Sequence, residues 1–166
     1  MIKKLLFTSI LCFLSLFSRT GALSPPDPLI NTIQGQGLIG LNFGQPGTGE
    51  QIAYFIVNSN SATGFEVKIS LTNRGKFIAG TSEIPMTSLV LDKVSGTLGA
   101  GLTEPVNLDV LAVVSGGGEF SWNPGNSPTT ETVNYIVELK ADWADPHGKL
   151  AGLYLENITF TISVNL

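Results

Sequence analysis

The stretch Gly152-Leu-Tyr-Leu-Glu-Asn-Ile-Thr-Phe-Thr-Ile-Ser-Val-Asn-Leu166 constrains this chain most. From Tyr154 onward its even positions read Tyr, Glu, Ile, Phe, Ile, Val, Leu. Its odd positions read Leu, Asn, Thr, Thr, Ser, Asn. A β-strand sends successive side chains to opposite faces, so the pattern predicts a closing strand with one apolar and one polar face. Tyr154, Ile158, Phe160 and Ile162 are its expected core residues. A fully buried side chain of this kind contributes about 1.5–3 kcal/mol. Such a strand requires a sheet to close, and the best partners in the chain are 50–57, 65–71 and 132–141.

The rest of the chain is built to match. Hydrophobic residues make up 43% of the 166 and charged residues only 13%, about half the usual quarter. Glycine (19) and proline (9), with abundant Thr, Ser and Asn, favour turns and strands. No stretch combines a capped start with a sustained helical period. Glu50–Val57 is apolar on both faces and reads as a central strand. It is joined by the polar loop 58–64 to the alternating run Phe65–Leu71, which together predict a hairpin. Lys76–Ile78 and Leu89–Leu91 read as short strands, with Pro85 marking an edge between them. Val106, Leu108, Val110, Ala112 and Val114 alternate and predict a further strand, ended by Gly116–Gly118. Glu119–Pro128 reads as a long loop, 132–141 as a strong strand and 142–148 as a turn. The expected fold class is all-β, an immunoglobulin-like β-sandwich of about 7–9 antiparallel strands. A jelly roll or a small barrel is the alternative.

The N-terminus is read separately. Basic Met1–Lys4, the apolar run Leu5–Phe17 and the small residues Thr20-Gly21-Ala22 form a signal peptide, with cleavage expected after Ala22 or, failing that, after Ser24. The apolar run is shorter than the ~20 residues a membrane span requires. Leu11 is too bulky for a lipidation motif at Cys12. The organisation is therefore 1–22 signal peptide, 23–28 proline-rich arm and 29–166 a single β-sandwich domain. Cys12 is the only cysteine, so the mature chain forms no internal disulfide. Loss of Lys3, Lys4 and Arg19 takes the nine basic residues to six against thirteen acidic ones, a net charge of −7. That balance argues against nucleic acid and anionic lipid as partners, and no membrane insertion is expected after signal removal.

Few residues suit catalysis. His147 is the only histidine and sits in the turn sequence Asp-Pro-His-Gly, so a Ser-His-Asp triad would have to use it there. Asp142 and Asp145 do not have the spacing of a calcium loop. Gly116-Gly-Gly118 has no lysine or helix start after it, as a phosphate cradle would. The chain is therefore expected not to be an enzyme, with no catalytic residues, no cofactor and no metal. Trp122 and Trp143 fall in predicted loops. They are the candidate contacts for a glycan or a protein, or else they cover open ends of the sandwich.

The two ends together resemble a known group. Gly152-Leu-Tyr154 followed by Ile158-Thr-Phe-Thr-Ile162 is similar to the closing strand of bacterial pilin-like domains, those of chaperone–usher fimbriae and of the spore coat protein U group. Asn58-Ser59 and Thr63-Gly64-Phe65-Glu-Val-Lys-Ile-Ser70 resemble the Asn-Ser…Gly-aromatic hairpin of such secreted β domains. The resemblance implies a secreted structural or adhesive subunit, fimbria-like and located at the cell surface or in the periplasm of a Gram-negative-type bacterium. Its partners would be further copies or other surface subunits. It also implies an incomplete sandwich completed by another subunit's N-terminal strand. Leu29, Ile33, Ile39 and Leu41 would be the donated side chains, with Gly35 or Gly37 passing a tight point. The alternative is that 29–43 is the first strand of a complete monomeric sandwich, a secreted or periplasmic binding module for a glycan or protein.

Overall fold

A computed structural model describes residues 31–35, 41, 43–61, 63–96, 102–125, 133–149 and 152–164. The signal segment 1–22, the arm 23–28 and the candidate donor residues Leu29 and Ile39 lie outside the described residues. Nine strands appear in order: β1 (Asn31–Gly35), β2 (Gly47–Ser59), β3 (Phe65–Leu71), β4 (Lys76–Ala79), β5 (Ser82–Gly96), β6 (Leu108–Asp109), β7 (Phe120–Trp122), β8 (Val133–Trp143) and β9 (Ile158–Val164). A single-turn helix, α1 (Leu111–Val114), follows β6. The chain is all-β with every strand pairing antiparallel.

The strands form two sheets. The larger has the order β1-β2-β8-β5-β4, with β6 added to β5, and it curls as a half-barrel. The smaller has the order β7-β3-β9. Phe55 and Val57 of β2, Tyr135, Val137 and Leu139 of β8, and Leu89 and Leu91 of β5 point inward from the larger sheet. Phe65, Val67 and Ile69 of β3 meet them from the smaller one, and all ten are essentially inaccessible to solvent. The two-residue period reappears as strict alternation of burial in β3 and in the second half of β2, while β5 changes phase at the register shift between Met86 and Ser88.

Several expectations are corrected. The segments 50–57 and 65–71 are strands, but they do not form a hairpin: β2 pairs with β1 and β8, and β3 with β7 and β9. The 60–64 connection crosses from one layer to the other. It closes on itself, with the Ser61 N–H on Ser59 Oγ (3.3 Å) and the Gly64 N–H on the Ser61 carbonyl (3.1 Å). Gly64 has φ +76°, a conformation that suits glycine. Crossing lets the apolar faces of β2 and β3 face one another, where a hairpin would have laid them side by side.

The alternation from Val106 to Val114 yields only the two-residue β6 and then α1. Val110 and Val114 are four residues apart, which is an even number and also about one helical turn. Both are fully buried, so the same spacing satisfies either structure. Leu89–Leu91 is part of the fifteen-residue β5 and not a separate short strand. At Pro85 that strand has only β4 beside it, and pairing with β8 begins at Met86. An edge-like position is where a residue without an N–H is tolerated. The closing strand has one of its three expected partners: among the described residues β9 pairs with β3 alone, from Leu71↔Ile158 to Phe65↔Val164.

Candidate interaction surface

The residues singled out at the two ends of the chain meet at one seam. β1 is one edge of the larger sheet and β9 one edge of the smaller. Ile33 lies in β1 opposite Val57, and Gly35 lies opposite Phe55. From β9, the Phe160 ring reaches the Phe55 ring at 4.6 Å. A Cβ on Gly35 would stand 3.4 Å from that same Phe160 ring. That distance is ordinary van der Waals contact, so a side chain at Gly35 would meet Phe160 without a clash, and Gly37 lies outside the described residues. Ile33, Ile158, Phe160 and Ile162 are half-buried and pack against the core without being enclosed by it.

Tyr154 is buried more deeply than β9. Its hydroxyl donates to Ser82 Oγ (2.8 Å), and its ring stands 5.7 Å from that of Phe43. Leu41 and Phe43 are half-buried against the core. With Gly44, Ile84, Pro146, Lys149, Gly152 and Tyr154 they line a cleft of about 340 Å³.

The placement of Trp122 and Trp143 in contact loops is corrected. Trp122 belongs to β7 and Trp143 ends β8, and they are 4% and 3% exposed. Trp122 stands edge-on to Phe65 at 5.6 Å. Trp143 donates its indole N–H to the Gln45 carbonyl (3.1 Å) and lies against Gly47, where a Cβ would come within 2.4 Å of the ring. Phe43 and Phe77 flank it at 5.1 and 5.6 Å. The sequence places both indoles beside Asn, Pro, Gly and Asp, which masks the strands that hold them. The glycine two residues beyond Gln45 is the signal that Trp143 is roofed by backbone.

His147 is exposed, with Nδ1 2.9 Å from Asp145 Oδ1 inside its own turn. Asp142 accepts the Gly49 N–H. Among the described residues no three His, Cys, Asp or Glu side chains converge as metal ligands.

Two buried polar groups escape sequence reasoning. Tyr135 is fully buried, and its hydroxyl has no hydrogen-bond partner among the described residues. Burial pushes its pKa up, with Glu104 and Asp92 adding to the rise, while Lys93 Nζ lies 5.6 Å from the ring centroid. Glu156 accepts the N–H groups of Asn73 (2.8 Å) and Asn157 (2.9 Å) on Oε1, and Oε2 is buried without a partner among the described residues. Burial raises the Glu156 pKa against the opposing pull of the Asn73, Asn157, Lys76 and Gly75 N–H groups. This carboxylate ties the β3–β4 turn to the approach of β9. Thr72 and Ile78 reinforce the link by donating to the carbonyls of Asn157 and Leu155 (both 3.0 Å).

Compared with known proteins, the chain matches no protein-family model, no curated protein and no solved structure.

Proposed function

We propose that the chain is a secreted structural or adhesive subunit of a bacterial surface, an immunoglobulin-like β-sandwich that assembles with other copies by exchanging β1. The observation that carries this reading is the seam between β1 and β9. β1 is a five-residue edge strand that, among the described residues, is hydrogen-bonded to β2 alone, and its Cα atoms come within 8 Å of those of β9. A strand bonded to both neighbours would hold them about 9.6 Å apart, twice the ordinary strand spacing. Along this approach there is no width for an added strand. An incoming N-terminal segment would therefore take the place of β1 and its register, with Ile33 against Val57 and Gly35 over Phe160. Strand addition draws affinity from main-chain hydrogen bonds and register from pockets for alternate side chains. The pilin-like resemblance of the chain ends supports the same reading. The signal-peptide pattern supports delivery to the surface or periplasm of a Gram-negative-type bacterium.

Sedimentation of the chain with and without residues 23–36 tests it. Concentration-dependent assembly that disappears with the deletion is expected. Oligomeric state and stability left untouched by the deletion would sink the exchange reading.

One observation favours a second reading. β1 is docked on its own chain's β2, as in a complete monomeric sandwich. A monomeric binding module would then use the cleft beside Phe43 and Tyr154 for a glycan or a peptide. Trp143 touches Phe43, so its fluorescence should respond to such a ligand. An unchanged spectrum across a glycan panel counts against this use of the cleft.

A further inference from the structure

The turn after β8 reads Asp145-Pro-His-Gly148 and takes no part in the β1–β9 seam. Asp145 Oδ1 accepts the His147 backbone N–H at 3.0 Å and lies 2.9 Å from Nδ1 of the same residue. Oδ2 has no partner among the described residues. Beyond the Asp145–Pro146 peptide bond the chain is held in place. Pro146 is buried, its carbonyl accepts the Lys149 N–H (3.0 Å), and Gly148 completes the turn at φ +78°. Of the other charged groups in this region, Asp142 accepts the Gly49 N–H and Lys149 is exposed.

This arrangement brings together the parts of a chain-cleavage reaction. An aspartate carboxylate that closes on its own residue's carbonyl carbon forms a five-membered ring. Such an attack needs no encounter between separate molecules, which removes much of the entropic barrier. The bond to be broken is a favourable one, because a proline nitrogen carries no hydrogen and takes up a proton more readily than an ordinary peptide nitrogen. The reaction further requires an acid for that nitrogen. The imidazolium of His147 is next in the chain to Pro146 and already stands against the attacking carboxylate.

We propose that Asp145–Pro146 is a self-cleaving bond, with Asp145 as nucleophile and His147 as proton donor. Asp145 Oδ2 bonds to the Asp145 carbonyl carbon, the bond from that carbon to the Pro146 nitrogen breaks, and the imidazolium proton passes to the nitrogen. Water opens the cyclic anhydride, leaving two carboxyl groups on Asp145 and a secondary amine at Pro146. The reaction is a single turnover on the chain's own backbone. The piece that begins at Pro146 stays attached through the seven residue pairs of β3 with β9 and the Tyr154–Ser82 hydrogen bond. Cleavage thus separates β8 from β9 covalently and leaves both sheets assembled. It goes beyond the exchange of β1 and does not depend on it.

The test is incubation of the full chain at about pH 5.5, between the ordinary carboxylate and imidazole values, followed by mass spectrometry under denaturing conditions. Fragments ending at Asp145 and beginning at Pro146 should form about tenfold or more faster than in His147→Gln, and not at all in Asp145→Ala. His147 has an 89% exposed side chain, so His147→Gln should keep the wild-type thermal midpoint. The sequence carries its own control in Asp27-Pro28, which is followed by Leu29 in place of a histidine. General acid lability would cut both bonds, whereas assistance by His147 predicts a cut at Asp145 alone. With hydroxylamine present, the first fragment should end in an Asp145 hydroxamate, the product of a trapped anhydride. A chain that stays whole overturns the proposal, as does equal cleavage in wild type and His147→Gln. Cutting after Asp27 as fast as after Asp145, or a fragment without hydroxamate in hydroxylamine, overturns it equally.

Discussion

The interior between the two sheets and the seam at its side are made from the same residue types and reach very different burial. Phe55, Val67, Leu139 and Val137 are closed in from both layers, and none retains measurable exposure. Ile33, Ile158, Phe160 and Ile162 belong to strands of the same alternating kind, yet each is left half-buried. β2, β8 and β5 have strands on both sides, whereas among the described residues β1 and β9 have one each. Edge position alone does not set the difference, since the edge strands β4 and β7 bury Phe77 and Trp122; β1 and β9 are the edge strands that meet along the seam between the two sheets. An apolar face on an edge strand at that seam is only half used. Such a strand is the part of a fold that opens, exchanges or pairs at least cost.

Substitutions can break this contrast. Leu139→Ala removes a fully enclosed side chain from β8 and should destabilise the protein by about 2–5 kcal/mol in urea denaturation. Ile33→Ala at the seam should cost about 1 kcal/mol by the same measurement, since only part of the side chain is withdrawn from water. Equal losses at the two sites would mean that β1 is as much a part of the core as β8, and the distinction between them would fall. The smallest effect is at Glu156, beside the entry to β9. Its raised pKa in the folded state means that folding favours the protonated form. The stability contributed by that preference is fully present below the ordinary glutamate pKa. It is lost as the pH climbs through the raised value. Glu156→Gln should flatten this part of the pH–stability profile, measured as thermal midpoints from pH 4 to 7. A profile unchanged by the substitution would show that burial of this carboxyl has no bearing on folding.

Regions with strong alternation and buried neighbours were legible in the sequence. Phe65–Leu71 and the run that became β8 could be read because every second residue faces a filled core. The pairing partners were not legible. The polar loop after β2 has the composition of a hairpin turn, and only the pairing of β2 with β1 and β8, and of β3 with β7 and β9, shows that it changes layers. The short β6–α1 segment could not be separated from a strand, because Val110 and Val114 satisfy both periods. Trp122 and Trp143 were misplaced because neighbouring turn residues outweighed strands of three residues and a strand end. At the seam, the sequence supplied the apolar positions and Gly35. Only the fold shows that the ring beneath Gly35 is Phe160.

The central claim is that β1 is a separable strand whose groove accepts the same sequence from another chain. The direct measurement adds a synthetic peptide of residues 29–43 to protein lacking residues 23–36 and follows the thermal unfolding midpoint. Exchange of β1 predicts that the peptide binds the vacated edge of β2 and restores stability in a saturable manner, while a peptide with Ile33→Asp does not. A truncated chain that is already as stable as the whole, or one that the peptide leaves unchanged, would contradict it.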